Sequence, residues 1–266
     1  MNIVLKIISK ILLFCFLTMV TQIGGFALLL SFYINKKLKI SFLGRPLITF
    51  VTVYLIFSLV IVPIVAPIFG REKVKHINNI YPVNYMTVLL NRNYVRPDLN
   101  KMLQNTAKEL ENTGIYIHYL DANFPFMDSF PLLPHLSHSD GKKIDVSLIY
   151  ETPEGIISSS QKSMSGYGVF EPPKTKEFNQ IAICLKNGYL QYDFPKYVTF
   201  GKINKNLSFS DAGTKRLIQG FLKSNLLGKL FIEPHLKQRL RLNNTKVKYH
   251  GCQAVRHDDH IHLQLK

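Results

Sequence analysis

An α+β domain standing behind an N-terminal two-helix transmembrane hairpin is the fold class this sequence predicts. Three observations carry that prediction. Two stretches near the start, residues 11–35 and 46–70, contain no charged residue, and each exceeds the roughly 20 apolar residues that cross a bilayer. The rest of the chain mixes segments of helical period with segments of strict alternation, without regular βαβ order. Five of the nine histidines fall into two tight groups, His135 with His138 and His257 with His260 and His262.

The hairpin comes first. Lys6 and Lys10 resemble the charged start of a secretory signal, but the apolar run is too long for one and no small-residue cleavage site follows. Two retained spans, about 11–35 and 46–70, are therefore expected. The joining stretch "KKLKISFLGR" carries Lys36, Lys37, Lys39 and Arg45 undiluted by acid. The positive-inside rule puts such a loop in the cytoplasm. Both ends of the hairpin, and everything after residue 70, would then lie outside it. The expected location is the cytoplasmic (inner) membrane, with the soluble domain facing the periplasm or cell exterior.

Residues 71–95 read as a juxtamembrane linker leading to a domain over 96–266, long enough for a single core. In "RPDLNKMLQNTAKELENTG", Pro97 starts a helix and Gly114 punctuates its end. Leu99, Met102, Leu103, Ala107 and Leu110 recur at helical spacing. "IYIHYL" and "KIDVSLIY" alternate as strands. The Ser-, Gly- and Pro-rich stretch 151–180 is a long loop, a kind more often functional than idle. Ser210 caps a helix in "SDAGTKRLIQGFLKSNL"; "KLFIEPHLKQRLRL" adds a strand or short helix, and "HIHLQL" a last strand.

The net charge of +16 raises nucleic acid as a partner. A domain tethered outside the cytoplasm rarely meets nucleic acid, and no aromatic-basic RNA motif or zinc-finger spacing is present. Anionic lipid or wall polymer suits the charge better. Cys15 lies within the first span; Cys184 and Cys252 are able to pair in an oxidising compartment.

Alternation gives the histidines their geometry. In "KIDVSL", Asp145 and Ser147 share one face and Ile144, Val146 and Leu148 the other. In "HIHLQL", His260, His262 and Gln264 share a face opposite Ile261, Leu263 and Leu265. If the two strands are neighbours, Asp145, His260 and His262 meet, with His138 arriving from the adjoining loop and His257 folded over the same face. Histidines with a carboxylate suit Zn²⁺ held by three protein ligands and a water. The ion would acidify that water and polarise a carbonyl. Asp258 and Asp259 stand ready to fix ring orientation.

These spacings resemble a known family. His138, Gly141 and Asp145 follow the H-x-x-G-x-x-x-D pattern, and His260-x-His262 the second motif, of the lysostaphin, D-Ala-D-Ala metallopeptidase and hedgehog-like zinc peptidases. His135 and His257, each three residues earlier, make the sequence similar to the penicillin-insensitive murein endopeptidases among them. The likeness rests on residues 135–145 and 257–262. It implies His138, Asp145 and His262 as zinc ligands, His135 as a further residue at the metal, His260 as general base and His257 as oxyanion donor. It also implies a small antiparallel sheet flanked by helices, and peptidoglycan cross-links or stem peptides as substrates. A non-catalytic envelope protein that keeps the fold to bind metal or wall peptides is the rival from another class.

Other residues are expected to be ordinary. His76, His118, His235 and His250 read as surface or core histidines, Tyr167 in "SGYG" as a loop aromatic, and "HLKQRLRL" as a solvated helix face. A cysteine hydrolase on Cys252 lacks any supporting motif.

Overall fold

A computed structural model describes residues 3–38, 46–77 and 79–266. Lys39 and Arg45, counted in the orientation argument, lie outside the described residues. Strands in chain order are β1 Glu72–Lys73, β2 Ile80–Pro82, β3 Tyr94–Val95, β4 Ile117–Tyr119, β5 Lys143–Ser147 and β6 Tyr150–Glu151. There follow β7 Ile157–Ser158, β8 Ser208–Phe209, β9 Leu227–Phe231, β10 Val247–Lys248 and β11 His260–Leu265. The architecture is mixed α+β, and the chain divides into two compact units.

One unit comprises Met1–Val74, Met86–Arg96 and Asn123–Gly141. Its helices are α1 Ile3–Thr21, α2 Gly24–Leu38 and α3 Pro46–Ile56, the last running on through a π-turn, the short α4 Val62–Val65 and a 3₁₀ turn to Phe69. Two helical runs, Ile3–Thr21 and Pro46–Phe69, are long and apolar enough to cross a membrane. The first stretch differs from the single span expected over 11–35. Gln22 takes a left-handed backbone, φ +66°, and Thr21 Oγ1 accepts the Gly24 N–H at 2.8 Å, so the chain folds back. Glycine is required at the fold: a Cβ on Gly25 would stand 2.1 Å from Thr18 Oγ1. The π-turn Phe57–Ile61 precedes Pro63, which has no N–H and whose ring crowds the carbonyl four residues back.

Segment 71–95, expected as a linker, carries β1 to β3 and helix α5, Met86–Leu89, with β1 antiparallel to β3. Ile23, Val62, Ala66 and Tyr94 form this unit's core, with Tyr54, Phe57 and Phe126 against it. The buried Arg71 guanidinium donates to the carbonyls of Phe124 and Ser139 and to the Asp128 carboxylate.

The other unit comprises Lys75–Tyr85, Pro97–Ala122 and Lys142–Lys266. Its main sheet has the order β10-β9-β11-β5-β4-β2. The resemblance implied a small antiparallel sheet; the six strands are mixed. β9, β11, β5 and β4 are antiparallel neighbours, whereas β10 runs parallel to β9 and β2 parallel to β4. Parallel neighbours need a crossover, and helices α6, Pro97–Glu109, and α9, Pro234–Arg239, lie in those two connections. α6 has the expected buried stripe of Leu99, Met102, Leu103 and Ala107. Between them in sequence come α7, Gln180–Lys186, and α8, Asp211–Leu222, where Ser210 caps α8 by accepting the Gly213 N–H. β6, β7 and β8 make a separate small sheet.

Candidate metal centre

The antiparallel register of β11 on β5 sets His262 opposite Asp145 and His260 opposite Ser147. Ile144, Val146, Ile261 and Leu263 are fully buried, as the alternation requires of the core face. Asp145 is itself 0 % exposed, and a buried carboxylate must be met by donors or cations. His262 Nδ1 lies 2.8 Å from Asp145 Oδ1, the Tyr167 hydroxyl donates to Oδ2 at 2.8 Å, and His260 Nε2 lies 3.8 Å from Oδ2.

His135, His138 and Asp145 form a buried group whose donor atoms lie within 4.8 Å of one another, able to hold a metal ion. Two imidazoles and a carboxylate are the donor types zinc accepts. Donors around a tetrahedral zinc stand about 3.3 Å apart, from bond lengths near 2.0–2.1 Å, inside the 4.8 Å within which this group's donor atoms lie. The His135 and His138 ring centroids are 5.4 Å apart. Gly141 of the first motif has φ +77°, and a Cβ there would meet Arg96 Cγ at 3.0 Å and Arg71 Nε at 3.2 Å. The position excludes other residues on both counts.

The second histidine group is layered. Asp259 Oδ1 lies 2.5 Å from His260 Nδ1, and its Oδ2 accepts the Gly168 N–H at 2.6 Å. His260 Nδ1 therefore carries the proton, which turns Nε2 toward Asp145. The His257 ring lies 4.7 Å from His260 and 5.8 Å from His262, so it does fold over the shared face. Its turn is held by Glu233, which accepts the His257 N–H at 2.9 Å and the Tyr192 hydroxyl at 2.6 Å. A disulfide between Cys184 and Cys252 fastens the approach to that turn and removes Cys252 as a nucleophile. Asp258 serves Arg256, 2.7 Å away, rather than the imidazoles of His257 or His260.

Electrostatics follow burial. Burial alone would lower the His260 pKa, but the Asp259 and Asp145 carboxylates outweigh it and hold the imidazole at about 9. Burial, then the neighbouring His260, His262 and His250, push His257 well below its ordinary value. Burial and the adjacent Asp145 and Asp121 carboxylates raise the Tyr167 phenol, so it remains a donor.

Two expectations need correction, and one surface histidine stands beside the site. Tyr167 is no ordinary loop aromatic: it is buried on Asp145, also accepts the Asp121 N–H at 3.2 Å, and meets the His260 ring edge-on at 5.1 Å. His250 is exposed, as expected of a surface histidine, and its ring stands 5.3 Å from His257 and 5.9 Å from His262. "HLKQRLRL" is not a solvated face, since His235 and Leu236 are buried and Arg239 pairs with Glu171 and Glu177. The only sequence signal for Tyr167 is its flanking Gly166 and Gly168, both at positive φ; His250 has none. Ser147, on the face of Asp145, donates to Gln161 from the same long loop. Comparison of the chain with protein-family models and with curated proteins gives no match.

Proposed function

We propose that this chain is a membrane-anchored zinc peptidase of the lysostaphin, D-Ala-D-Ala metallopeptidase and hedgehog-like kind, hydrolysing peptide bonds in peptidoglycan cross-links or stem peptides. The observation that carries the reading is the β5–β11 register, which sets the aspartate of one motif opposite His262 of the other and within 3.8 Å of His260. The disulfide suits an oxidising compartment, and the excess of 33 basic over 17 acidic residues suits an anionic wall.

His138, Asp145 and His262, with His135 beside them, would hold the ion. Bound there, zinc supplies Lewis-acid polarisation and an acidified water. The chain supplies the rest. Tyr167 fixes one oxygen of Asp145, which sets the carboxylate's direction and leaves the oxygen beside His262 Nδ1 for the ion. Asp259 holds His260 Nδ1, which leaves Nε2 to face the water; a cation on Asp145 would offset the carboxylate charge that keeps this imidazole protonated, and Nε2 would then take the proton of the attacking water and return it to the leaving amine. His257 donates to the oxyanion as the carbonyl turns tetrahedral.

A second reading has its own observation. His138, Asp145, His260 and His262 are all nearly inaccessible, and Tyr167 lies directly on the carboxylate. Such covering suits an envelope protein that holds a metal without turning over substrate. One experiment separates the two. Full-length chain in detergent is incubated with cross-linked muropeptides, and products are read by mass spectrometry beside zinc content. Wild type is expected to cleave; Asp145→Ala loses zinc and activity, while His260→Ala keeps zinc and loses activity. Stoichiometric zinc with no change in any muropeptide would refute the peptidase and favour the metal-holding protein. No zinc in the wild type would sink both.

A further inference from the structure

The membrane-anchoring part of the proposed function supposes two spans, yet the first stretch is broken at Gln22. What the break does to topology can be read from contacts within the unit that holds all three helices. At one end of the bundle, Thr49 Oγ1 in the first turn of α3 donates to Asn35 Oδ1 near the end of α2, at 2.8 Å. Lys10 Nζ lies 5.1 Å over the Phe32 ring, so the start of α1 sits beside the end of α2. At the other end, Gln22 Oε1 accepts the Phe126 N–H at 3.0 Å. Ile23 packs with Val62, Ala66 and Tyr94, and Phe69 meets Phe126 at 5.1 Å. The Gln22 turn therefore lies with the residues that follow the last helix.

The outward face of α2 points the same way. Phe26, Leu29 and Tyr33, at helical spacing, are 58 %, 54 % and 55 % exposed, while Ala27, Leu28 and Ser31 are buried. α1 and α3 likewise expose aliphatic side chains. In water such a stripe would be costly; acyl chains cover it at no such cost. The charges agree. Lys6, Lys36 and Lys37 fall at the end away from Gln22 and Lys10 in that half of α1, and the chain has no Asp or Glu before Glu72.

We propose that α2 is a third membrane helix, its Phe26–Leu29–Tyr33 face on lipid, so that α1, α2 and α3 cross the bilayer in alternating directions. The Ile3 end of α1 and the lysine end of α2 then share the cytoplasmic face, and the chain leaves the bundle after residue 70 on the opposite face. Every lysine of the bundle obeys the positive-inside rule in this arrangement. In the two-span arrangement Lys6 and Lys10 violate it. The 15 residues of α2 span about 22 Å, short of the roughly 30 Å hydrocarbon core. Snorkelling by Lys36 and Lys37 and local thinning close the difference.

The proposal rests on the membrane reading, and its test keeps the two apart. Full-length chain with Cys15→Ser is expressed with Ile3→Cys, Lys37→Cys or Lys101→Cys introduced singly. Spheroplasts are treated with a membrane-impermeant maleimide before or after lysis, and membranes are extracted with alkaline carbonate. The chain is expected to stay in the pellet, with Ile3→Cys and Lys37→Cys labelled only after lysis and Lys101→Cys labelled before it. Ile3→Cys labelled in intact spheroplasts, with the chain still membrane-bound, would overturn the third crossing and leave the two-span anchor standing. Lys101→Cys labelled only after lysis would overturn the orientation. Release of the chain by carbonate would remove the membrane reading itself, and the proposal with it.

Discussion

Tyr167→Phe removes one oxygen from the centre of the candidate site and changes almost nothing else in shape. That oxygen donates to Asp145 Oδ2 at 2.8 Å and accepts the Asp121 N–H at 3.2 Å, in a residue only 6 % exposed. A hydrogen bond to a charged acceptor is worth about 1.5–3 kcal/mol, and a buried donor left unmet costs about 1–3 kcal/mol. Some of that is recovered by relaxation, so a loss of about 3 kcal/mol is expected. For a domain of this size each kcal/mol moves the melting point by about 2–4 °C; the variant should therefore melt roughly 6–12 °C below wild type. Saturating zinc should shrink that gap, because a cation on Asp145 takes over the work of the lost donor.

The assay is thermal unfolding of the full chain in detergent, with and without zinc. Tyr197→Phe, on a side chain 72 % exposed, serves as the control and should not move. If Tyr167→Phe melts with wild type, the hydroxyl does not hold Asp145 and the account of the carboxylate's orientation is wrong. If it melts early but zinc leaves the gap unchanged, Tyr167 is a packing residue with no bearing on the metal.

Other outcomes follow from the same contacts. Arg71→Ala strips the Phe124 and Ser139 carbonyls and Asp128 of their shared donor; a loss of about 3 kcal/mol should appear as faster proteolytic cutting between residues 124 and 139. Replacing both Cys184 and Cys252 by serine opens a link across 68 residues, worth about 4 kcal/mol on loop entropy; urea unfolding of wild type in reductant should fall to the level of the double variant, which reductant leaves unchanged. Hydrogen bonding from Arg239 holds the Glu177 carboxyl down at about 2, against an ordinary 4.5. The pair therefore stabilises the fold above the unfolded value, and its contribution, about 1 kcal/mol, fades as pH drops from near 4.5 toward 2. Glu177→Gln should flatten that part of the acid-unfolding profile.

Strand and helix periodicity made much of the second unit legible. α6 and α8 start at their expected Pro97 and Ser210 signals, and the alternation in 143–148 and 260–265 identified both the core face and the site face. The neighbouring of β5 and β11 is only a condition in the sequence, since alternation gives each strand its faces but not its partner; the register supplies it. The rest was hidden for physical reasons. Gln22 breaks an uncharged run whose average apolarity is unaffected by one left-handed residue, so the fold-back of α1 on α2 leaves no trace in hydropathy. Tyr167 and His250 reach the site from irregular segments, where no period links residue number to direction. Arg239 looked solvated because its partners, Glu171 and Glu177, lie more than 60 residues away in the loop.

The site's own hydrogen bonds say how a metal would couple to the fold. Donors from the protein already reach both oxygens of Asp145 and both of Asp259, and Glu233 is met by Tyr192 and the His257 amide. A strand face built this way is supported by its sheet and its polar network, unlike a small zinc domain whose fold is its metal site. Binding then acts by linkage, adding about 2.7 kcal/mol at a ligand concentration a hundredfold above the dissociation constant. Chelation should accordingly lower the melting point by some degrees and leave a cooperative transition with native strand content in circular dichroism. Loss of that transition on chelation would mean that the ion organises the sheet, and that the register of His262 on Asp145 is its product rather than the frame that receives it.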